Sequence, residues 1–373
     1  MKYLFLILFI VCGCASSTDQ VSAIIENVQH HFAPDKRVAI FDIAFNEQIL
    51  SGESNLPEAV QAIKDSLSAK GIDYQDSITL LPEGEYTHGV IKVSVANLRA
   101  ESRHSSELVS QATMGSPVKV FKVDGGWVQV QTPDDYISWV DKGGIALMSD
   151  QEFNQWNDAE KLIYTQSIGY AYSDSTMQER TTDLVAGAVF KRINHIESAY
   201  QIALPNGQLC LVSDDEVADF SAWKRQETEA KGLISTAKSM MGIPYLWGGT
   251  SVKGADCSGF TKTIYFMNRM IIPRDASQQV REGDLVDDDK DWSKLSAGDL
   301  LFFGRPATDS TSEKVVHVGM WLGDSTFIHS SGNVHISSVD PESDQYDEYN
   351  VNRYLRSKRI INKRTENVKE IYF

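Results

Sequence analysis

The spacing of apolar residues divides the 373-residue chain into stretches of different character. Residues 3–11 are an apolar run behind Lys2, too short to cross a bilayer as a permanent helix. Residues 38–45 read as a strongly apolar strand. Residues 57–70 read as an amphipathic helix, with Pro57 in its first turn and Gly71 just past its end. Residues 78–81 suggest another strand. From about Tyr86 the period falls to two, over 90–95, 118–123, 127–130 and 136–140, with Asp124-Gly125-Gly126 as a hairpin turn. About five short strands in so short a stretch predict a small barrel.

A weak internal repeat comes next. Glu107-Leu108-Val109 is echoed by Asp183-Leu184-Val185, and Pro133-Asp134-Asp135 by Pro205-Asn206-Gly207, at offsets of 76 and 72. Residues 150–164 read as a helix connecting the two copies. The second copy has Gln208 for Tyr136 and Leu211 for Trp139, which suits a spacer or packing module. Residues 221–242 read as one helix, with Leu233, Ile234, Ala237 and Met241 on one side. After a glycine-bearing loop, Cys257 stands just ahead of an apolar helix at 260–270. An acidic loop at 282–291 and strands at 299–303, 315–322 and 326–330 complete an α+β pattern. The basic stretch 353–369 reads as a solvated final strand.

Composition narrows the function classes. The formal charge of −16 repels phosphate backbones and argues against nucleic acid as a partner, while suiting a cationic or amine-bearing ligand. The apolar run ends in Val11-Cys12-Gly13-Cys14, which resembles the lipobox of bacterial lipoproteins. That resemblance implies a signal peptide over 1–13, acylation of Cys14, and an exported protein anchored to a membrane at the cell envelope. Residues 15–20 then read as a tether. Cys210 and Cys257 remain in the mature chain, and a disulfide between them is the plain structural alternative to a reactive thiol. Cys210, in the alternating stretch 208–212, reads as a small core residue.

The chemistry centres on Cys257. At a helix start, free N–H groups and the helix dipole favour a thiolate, so this thiol is expected to react with iodoacetamide well below the pH of a free cysteine. Cysteine hydrolysis also needs an imidazole to accept and return a proton, and a third group to orient it. His317 and His329 lie on successive strands joined by Gly323-Asp324-Ser325, which can place both rings side by side on one face. A core histidine between valines is the plain reading of His317 alone. Cys257, His317, His329 and Asp256 could otherwise hold zinc, although the cysteine lies in no metal-ligand spacing.

Six blocks, in order, resemble the NlpC/P60 cysteine peptidases across about residues 230–362. They are Tyr245-Leu246-Trp247-Gly248-Gly249, Asp256-Cys257-Ser258-Gly259-Phe260, Arg274-Asp275-Ala276-Ser277-Gln278, residues 297–303, His317-Val318-Gly319-Met320-Trp321 and Phe327-Ile328-His329-Ser330. Val95-Ala96-Asn97-Leu98-Arg99, Gly126-Trp127 and residues 136–140 resemble a bacterial SH3 domain. The resemblance implies a multidomain protein: two SH3-like barrels and a C-terminal α+β papain-like peptidase that uses no cofactor. The expected segments are 1–13 (signal), 14–85 (tether and α/β elaboration of the first barrel), 86–148 and 149–220 (barrels), and 221–373 (peptidase with its lead-in helix).

Residue by residue, the resemblance implies Cys257 as nucleophile, His317 as base and His329 as third triad member. The Tyr245 hydroxyl and the Cys257 N–H would hold the oxyanion. Two barrels ahead of such a domain resemble the γ-D-glutamyl-L-diamino-acid endopeptidases. There the first barrel walls off the cleft, so that only a stem peptide with a free N-terminal L-alanine fits. Asp256, Glu107 and Tyr136 would take the ammonium, Ser258 the D-glutamyl α-carboxylate, and Asp275 and Ser277 would line the same pocket. On the plain reading Glu107 is a surface charge and Tyr136 packs on Trp139. The resulting expectation is a monomeric, lipid-anchored peptidase of cell-wall turnover. A peptidoglycan-binding lipoprotein with an inactive or less specific peptidase domain is the alternative.

Overall fold

The computed structural model describes residues 17–373. The apolar run, the lipobox and Cys14 lie outside the described residues. Two compact units divide at Glu83/Gly84.

The first unit has its own sheet and core. Helix α1 (Ser17–Phe32) is followed by β1 (Phe41–Asn46), β2 (Ile49–Ser54), α2 (Pro57–Ala69) and β3 (Gln75–Leu80). The β1–β2 pair is antiparallel, and α2 is the crossover that makes β2–β3 parallel. Val21, Ile24, Ile25 and Val28 recur at helical spacing and bury one face of α1 with Leu50, Ile63 and Leu67. Residues 17–20 are therefore the first turn of a helix and not tether. The stretch expected to elaborate the first barrel has a separate three-stranded sheet instead.

The second unit begins with two barrels of one topology. The first contains β4 (His88–Ile91), β5 (Val95–Arg99), β6 (Leu108–Thr113), β7 (Pro117–Asp124), β8 (Trp127–Gln131), β9 (Ile137–Asp141) and β10 (Ile145–Met148). The expected strand 90–95 is thus two strands with a corner between them, since β4 pairs with β7 and β10 whereas β5 pairs with β6 and β9. After helix α3 (Asp150–Asp158) come β11 (Lys161–Tyr164), β12 (Ile168–Tyr172), β13 (Arg180–Val185), β14 (Val189–Ile196), β15 (Ala199–Ala203), β16 (Leu209–Ser213) and β17 (Val217–Asp219). The connecting helix therefore ends at Asp158, and Leu162-Ile163-Tyr164 is a buried strand.

Strand orders β10-β4-β7-β8-β9-β5-β6 and β17-β11-β14-β15-β16-β12-β13 are the same path. Strands β6 through β9 start at 108, 117, 127 and 137, and their counterparts at 180, 189, 199 and 209, each 72 later. The offset of 76 is therefore a false match: Glu107 corresponds to Glu179, while Tyr136 does correspond to Gln208. The copies interlock, with Met114 of the first barrel fully buried in the core of the second. Ile163, Val189, Phe220, Trp223, Ile271 and Ile371 then join the second barrel to the C-terminal domain.

The expected helix 221–242 is two helices, α4 (Phe220–Lys224) and α5 (Ala230–Ser239). Arg269 occupies the carbonyls of Gln226 and Glu227, and the Thr228 hydroxyl donates to the Asn268 carbonyl, so tertiary contacts hold the break open. The short pair β18 (Thr250–Ser251) and β19 (Gly254–Ala255) leads into α6 (Cys257–Met267), with β20 (Met270–Ile271) and α7 (Ala276–Gln279) after it. The expected apolar helix at 260–270 thus begins at Cys257 itself and stops at Met267.

The remaining strands are β21 (Asp284–Asp287), β22 (Leu300–Arg305), β23 (Lys314–Gly323), β24 (Thr326–Ser331) and β25 (Asn333–Ser338). Helix α8 (Glu348–Asn352), β26 (Tyr354–Arg359) and β27 (Lys369–Glu370) close the chain. The order β21-β26-β22-β23-β24-β25 makes an antiparallel sheet, with a strand inside the expected acidic loop. Phe260 and Ile264 of α6 pack on Phe302, Val318, Met320 and Ile328 of this sheet, fixing the cysteine end of the helix against β23.

The first barrel docks on the peptidase domain through β6. The Gln111 side-chain oxygen accepts from the Thr250 N–H at 3.0 Å, and the Thr250 hydroxyl donates to the Gln111 carbonyl at 2.9 Å. Lys262 pairs with the buried Asp134 at 2.7 Å. Gly248 makes the closest approach: its φ is +77°, and a Cβ there would lie 2.2 Å from the Leu108 carbonyl oxygen. Gly248→Ala should therefore cost about 1–3 kcal/mol of stability and loosen the docking. Thermal unfolding would check this, and an unchanged melting temperature would contradict it.

Candidate active site

Helix α6 starts at Cys257 because Asp256 caps it. Asp256 has extended backbone, and its Oδ1 accepts from the Gly259 N–H at 2.7 Å. Its Oδ2 accepts from the Gly248 N–H at 2.9 Å. The Arg274 guanidinium donates to both oxygens, at 3.1 and 2.6 Å, and to the Ser258 hydroxyl at 3.0 Å. Arg274 is only 1 % exposed. One carboxylate thus joins the helix start, the Gly248 loop and a buried cation, and each of its oxygens already serves more than one donor. Gly259 is required beside it, since a Cβ there would lie 1.9 Å from the Gly249 carbonyl oxygen.

The Cys257 thiol is buried, with the Val318 N–H directed at it from the residue after His317. Burial, then the Asp256 charge, push the thiol up to about 11, against the Val318 and Ser258 N–H groups and the Arg274 charge. This runs against the expected low-pH thiolate: the helix start favours the anion, while desolvation and the adjoining carboxylate oppose it. With the thiol raised in this way, alkylation should quicken into the alkaline range and not plateau early.

The histidines form a row that begins at His317, next to the Val318 whose N–H meets the thiol, with His317 and His329 buried. His317 Nε2 lies 2.7 Å from His329 Nδ1. His329 Nε2 lies 3.1 Å from both His335 Nε2 and the Ser337 hydroxyl, and 3.8 Å from Asp347 Oδ2. Burial, then the neighbouring His329, Arg353 and His335, hold His317 well below the usual imidazole range. His329 is pulled down to about 4, again chiefly by burial, with Asp347 opposing. Both rings are therefore neutral at pH 7, as a proton-accepting base requires.

A cleft of about 430 Å³ runs over the thiol, walled by both domains. It gathers Tyr245, Asp256, Cys257, Ser258, Asp275 and Ser277 from the peptidase domain and Glu107 and Tyr136 from the first barrel. Trp247, 62 % exposed, donates from Nε1 to Glu107 Oε1 at 2.7 Å and so ties the two sides together. Tyr245 is fixed by its N–H on the Gly332 carbonyl at 2.9 Å. Burial and then the Cys257 and Asp256 charges push its phenol up to about 12, so it remains a donor. Lys314, Val315 and Val316 line the cleft from the strand that carries His317.

Glu107 is thus more than a surface charge, and Tyr136 is a buried cleft residue. Cys210 and Cys257 are both free, which removes the disulfide. Among the described residues no group of three or more His, Cys, Asp and Glu is placed to hold a metal ion. Sequence reasoning assigned no role to Arg274, Trp247 or His335. Arg274 and Trp247 stood in blocks already singled out, and their partners come from distant residues. The signal for His335 was its alternation within Val334-His335-Ile336, which places it opposite His329 in register.

A thiol at a helix start, a neutral histidine pair behind it and a phenol donor beside it define a cysteine peptidase. Family models match at residues 242–357 (NlpC/P60 family) and 94–146 (bacterial SH3 domain). A gamma-D-glutamyl-L-lysine dipeptidyl-peptidase of Bacillus cereus is 32 % identical over 236 residues, covering 61 % of this chain and 68 % of that protein. Dipeptidyl-peptidase 6 of Lysinibacillus sphaericus is 26 % identical over 270 residues, covering 69 % and 94 %. The crystal structure of an NlpC/P60 family protein from Bacillus cereus is similar, with a TM-score of 0.60 and 25 % identity, covering 74 % of this chain and 99 % of the other. The chain belongs to the NlpC/P60 family.

Proposed function

We propose that this peptidase hydrolyses the γ-D-glutamyl–diamino-acid bond of peptidoglycan stem peptides bearing a free N-terminal L-alanine, and releases L-Ala-D-Glu. The observation that carries the reading is the cleft wall: Glu107 and Tyr136 of the barrel stand with Asp256 in one cavity over Cys257. A desolvated ammonium needs carboxylates and acceptors of this kind. The names of the relatives, gamma-D-glutamyl-L-lysine dipeptidyl-peptidase and dipeptidyl-peptidase 6, support it.

In this mechanism His317 takes the thiol proton as sulfur attacks the γ-carbonyl carbon. The oxyanion is held by the Cys257 N–H and the Tyr245 hydroxyl. His317 returns the proton to the departing α-amine of the diamino acid, leaving a thioester, and water then repeats the sequence in reverse roles. Ser258 takes the D-glutamyl α-carboxylate, with the Arg274 charge behind it and Asp275 and Ser277 beside it. Acylation at Cys14 anchors the protein at the cell envelope, with catalysis exported. Among the described residues no helix is long and apolar enough to cross a membrane.

The test compares L-Ala-γ-D-Glu-L-Lys and its diaminopimelate form, each free or N-blocked by muramic acid. The free peptides should be cut and the blocked ones spared; equal cleavage would sink the gate, and no cleavage of any would sink the substrate class. Glu107→Ala should lower kcat/KM for the free peptide about 10–100-fold, mostly through KM.

A further inference from the structure

We propose that His335 is a positioning residue that sets the proton positions of the His317–His329 pair, from the surface end of a three-histidine row. The argument starts at Asn333, whose carbonyl oxygen lies 3.0 Å from His335 Nδ1. A carbonyl only accepts, so in neutral His335 the proton is on Nδ1 and Nε2 carries a lone pair. That lone pair faces His329 Nε2 at 3.1 Å, so His329 carries its proton on Nε2 and donates it. His329 Nδ1 is then bare and, at 2.7 Å, accepts from His317 Nε2–H. His317 is left with Nδ1 bare, the form a base needs to receive the thiol proton.

The other neighbours of His329 Nε2 do not fix this order by a hydrogen bond. The Ser337 hydroxyl, also at 3.1 Å, accepts or donates equally well and so permits either tautomer. Asp347 Oδ2, at 3.8 Å, lies beyond hydrogen-bond reach and only adds a negative charge that favours the same Nε2–H, while its side chain accepts from the Asn350 N–H and side-chain amide. The remaining charge near the row, Arg353, donates to Asn350 Oδ1. His335 is therefore the group whose polarity the row obeys. It stands on β25 at the end of the sheet order, directly opposite His329 in register, and half-exposed.

The kinetic test uses L-Ala-γ-D-Glu-L-Lys, and so rests on the proposed substrate. His335→Gln keeps an acceptor for His329 and a donor for Asn333, and should hold kcat within about 3-fold of wild type. His335→Ala leaves only the ambivalent serine and should lower kcat about 10-fold. His335→Lys presents only donors to His329 Nε2 and should lower kcat about 100-fold. KM should be unchanged in all three. A packing role would not rank glutamine above alanine and alanine above lysine; equal losses in all three, or none, would overturn the proposal.

The second arm is substrate-independent: ¹⁵N chemical shifts of the histidine rings in the wild-type full chain. Protons on His335 Nδ1, His329 Nε2 and His317 Nε2 are expected, and a bare His335 Nδ1 would overturn the assignment. If the peptide is not cleaved by wild type, the substrate reading fails while the ring shifts still decide this one.

Discussion

Replacing His317 with alanine is expected to slow peptide hydrolysis about 10⁴-fold near pH 7, and the loss should shrink about 10-fold for each unit of rising pH. The size comes from the nucleophile. With the Cys257 thiol pushed up to about 11, roughly one molecule in 10⁴ carries a thiolate four units below that. Wild type escapes this limit because His317 removes the proton as sulfur attacks, and it can do so because burial keeps the ring neutral. Without the base, only the pre-formed thiolate reacts, so the residual rate should climb with thiolate fraction. A variant whose rate is flat between about pH 7 and 9 would show that the resting thiol is already ionised. Cys257→Ala should remove the residual rate altogether.

Arg274→Met is expected to destabilise the second unit by about 3–5 kcal/mol. Methionine fills much of the same space, so the loss is electrostatic: the Asp256 carboxylate would keep its burial and lose both guanidinium bonds. Burial opposes the Arg274 charge, yet Asp256 holds the guanidinium above the ordinary arginine range, so the pair is strongly coupled. Adding Asp256→Asn should recover part of the loss, because no uncompensated charge then remains. Denaturant unfolding followed by tryptophan fluorescence measures both. A loss under about 1 kcal/mol for Arg274→Met would mean that water reaches the carboxylate.

What could be read from residues alone depended on how local the cause was. The cysteine helix and the strand pair carrying His317 and His329 were legible because apolar period and turn residues specify them within a few positions. The barrel repeat was legible too, but its alignment slipped by four residues at Glu107, where the connection between strands differs in length by one. Helix α1 was missed because its polar start adjoins the lipobox, although Val21, Ile24, Ile25 and Val28 carry the helical period. The break between α4 and α5 has no proline or glycine to announce it, and Arg269 and Asn268 impose it from outside. The forces on the Cys257 proton divide in a similar way: the helix start is local and legible, whereas the burial that raises the thiol comes from the folded core. Arg274 and His335 draw their meaning from partners 18 and 6 residues away in sequence.

Met114 makes the interior of the second barrel depend on the first. Two copies of one fold could be exchanged by recombination as beads on a string if each sealed its own interior. Here a side chain of the first fills the second. A crossover between them would leave a hole in one partner and an unsheltered thioether on the other, at a cost of about 2–5 kcal/mol. The pair is therefore one packing unit. The cleft wall presented by Glu107 and Tyr136 travels with the barrel that carries no cleft residue at all.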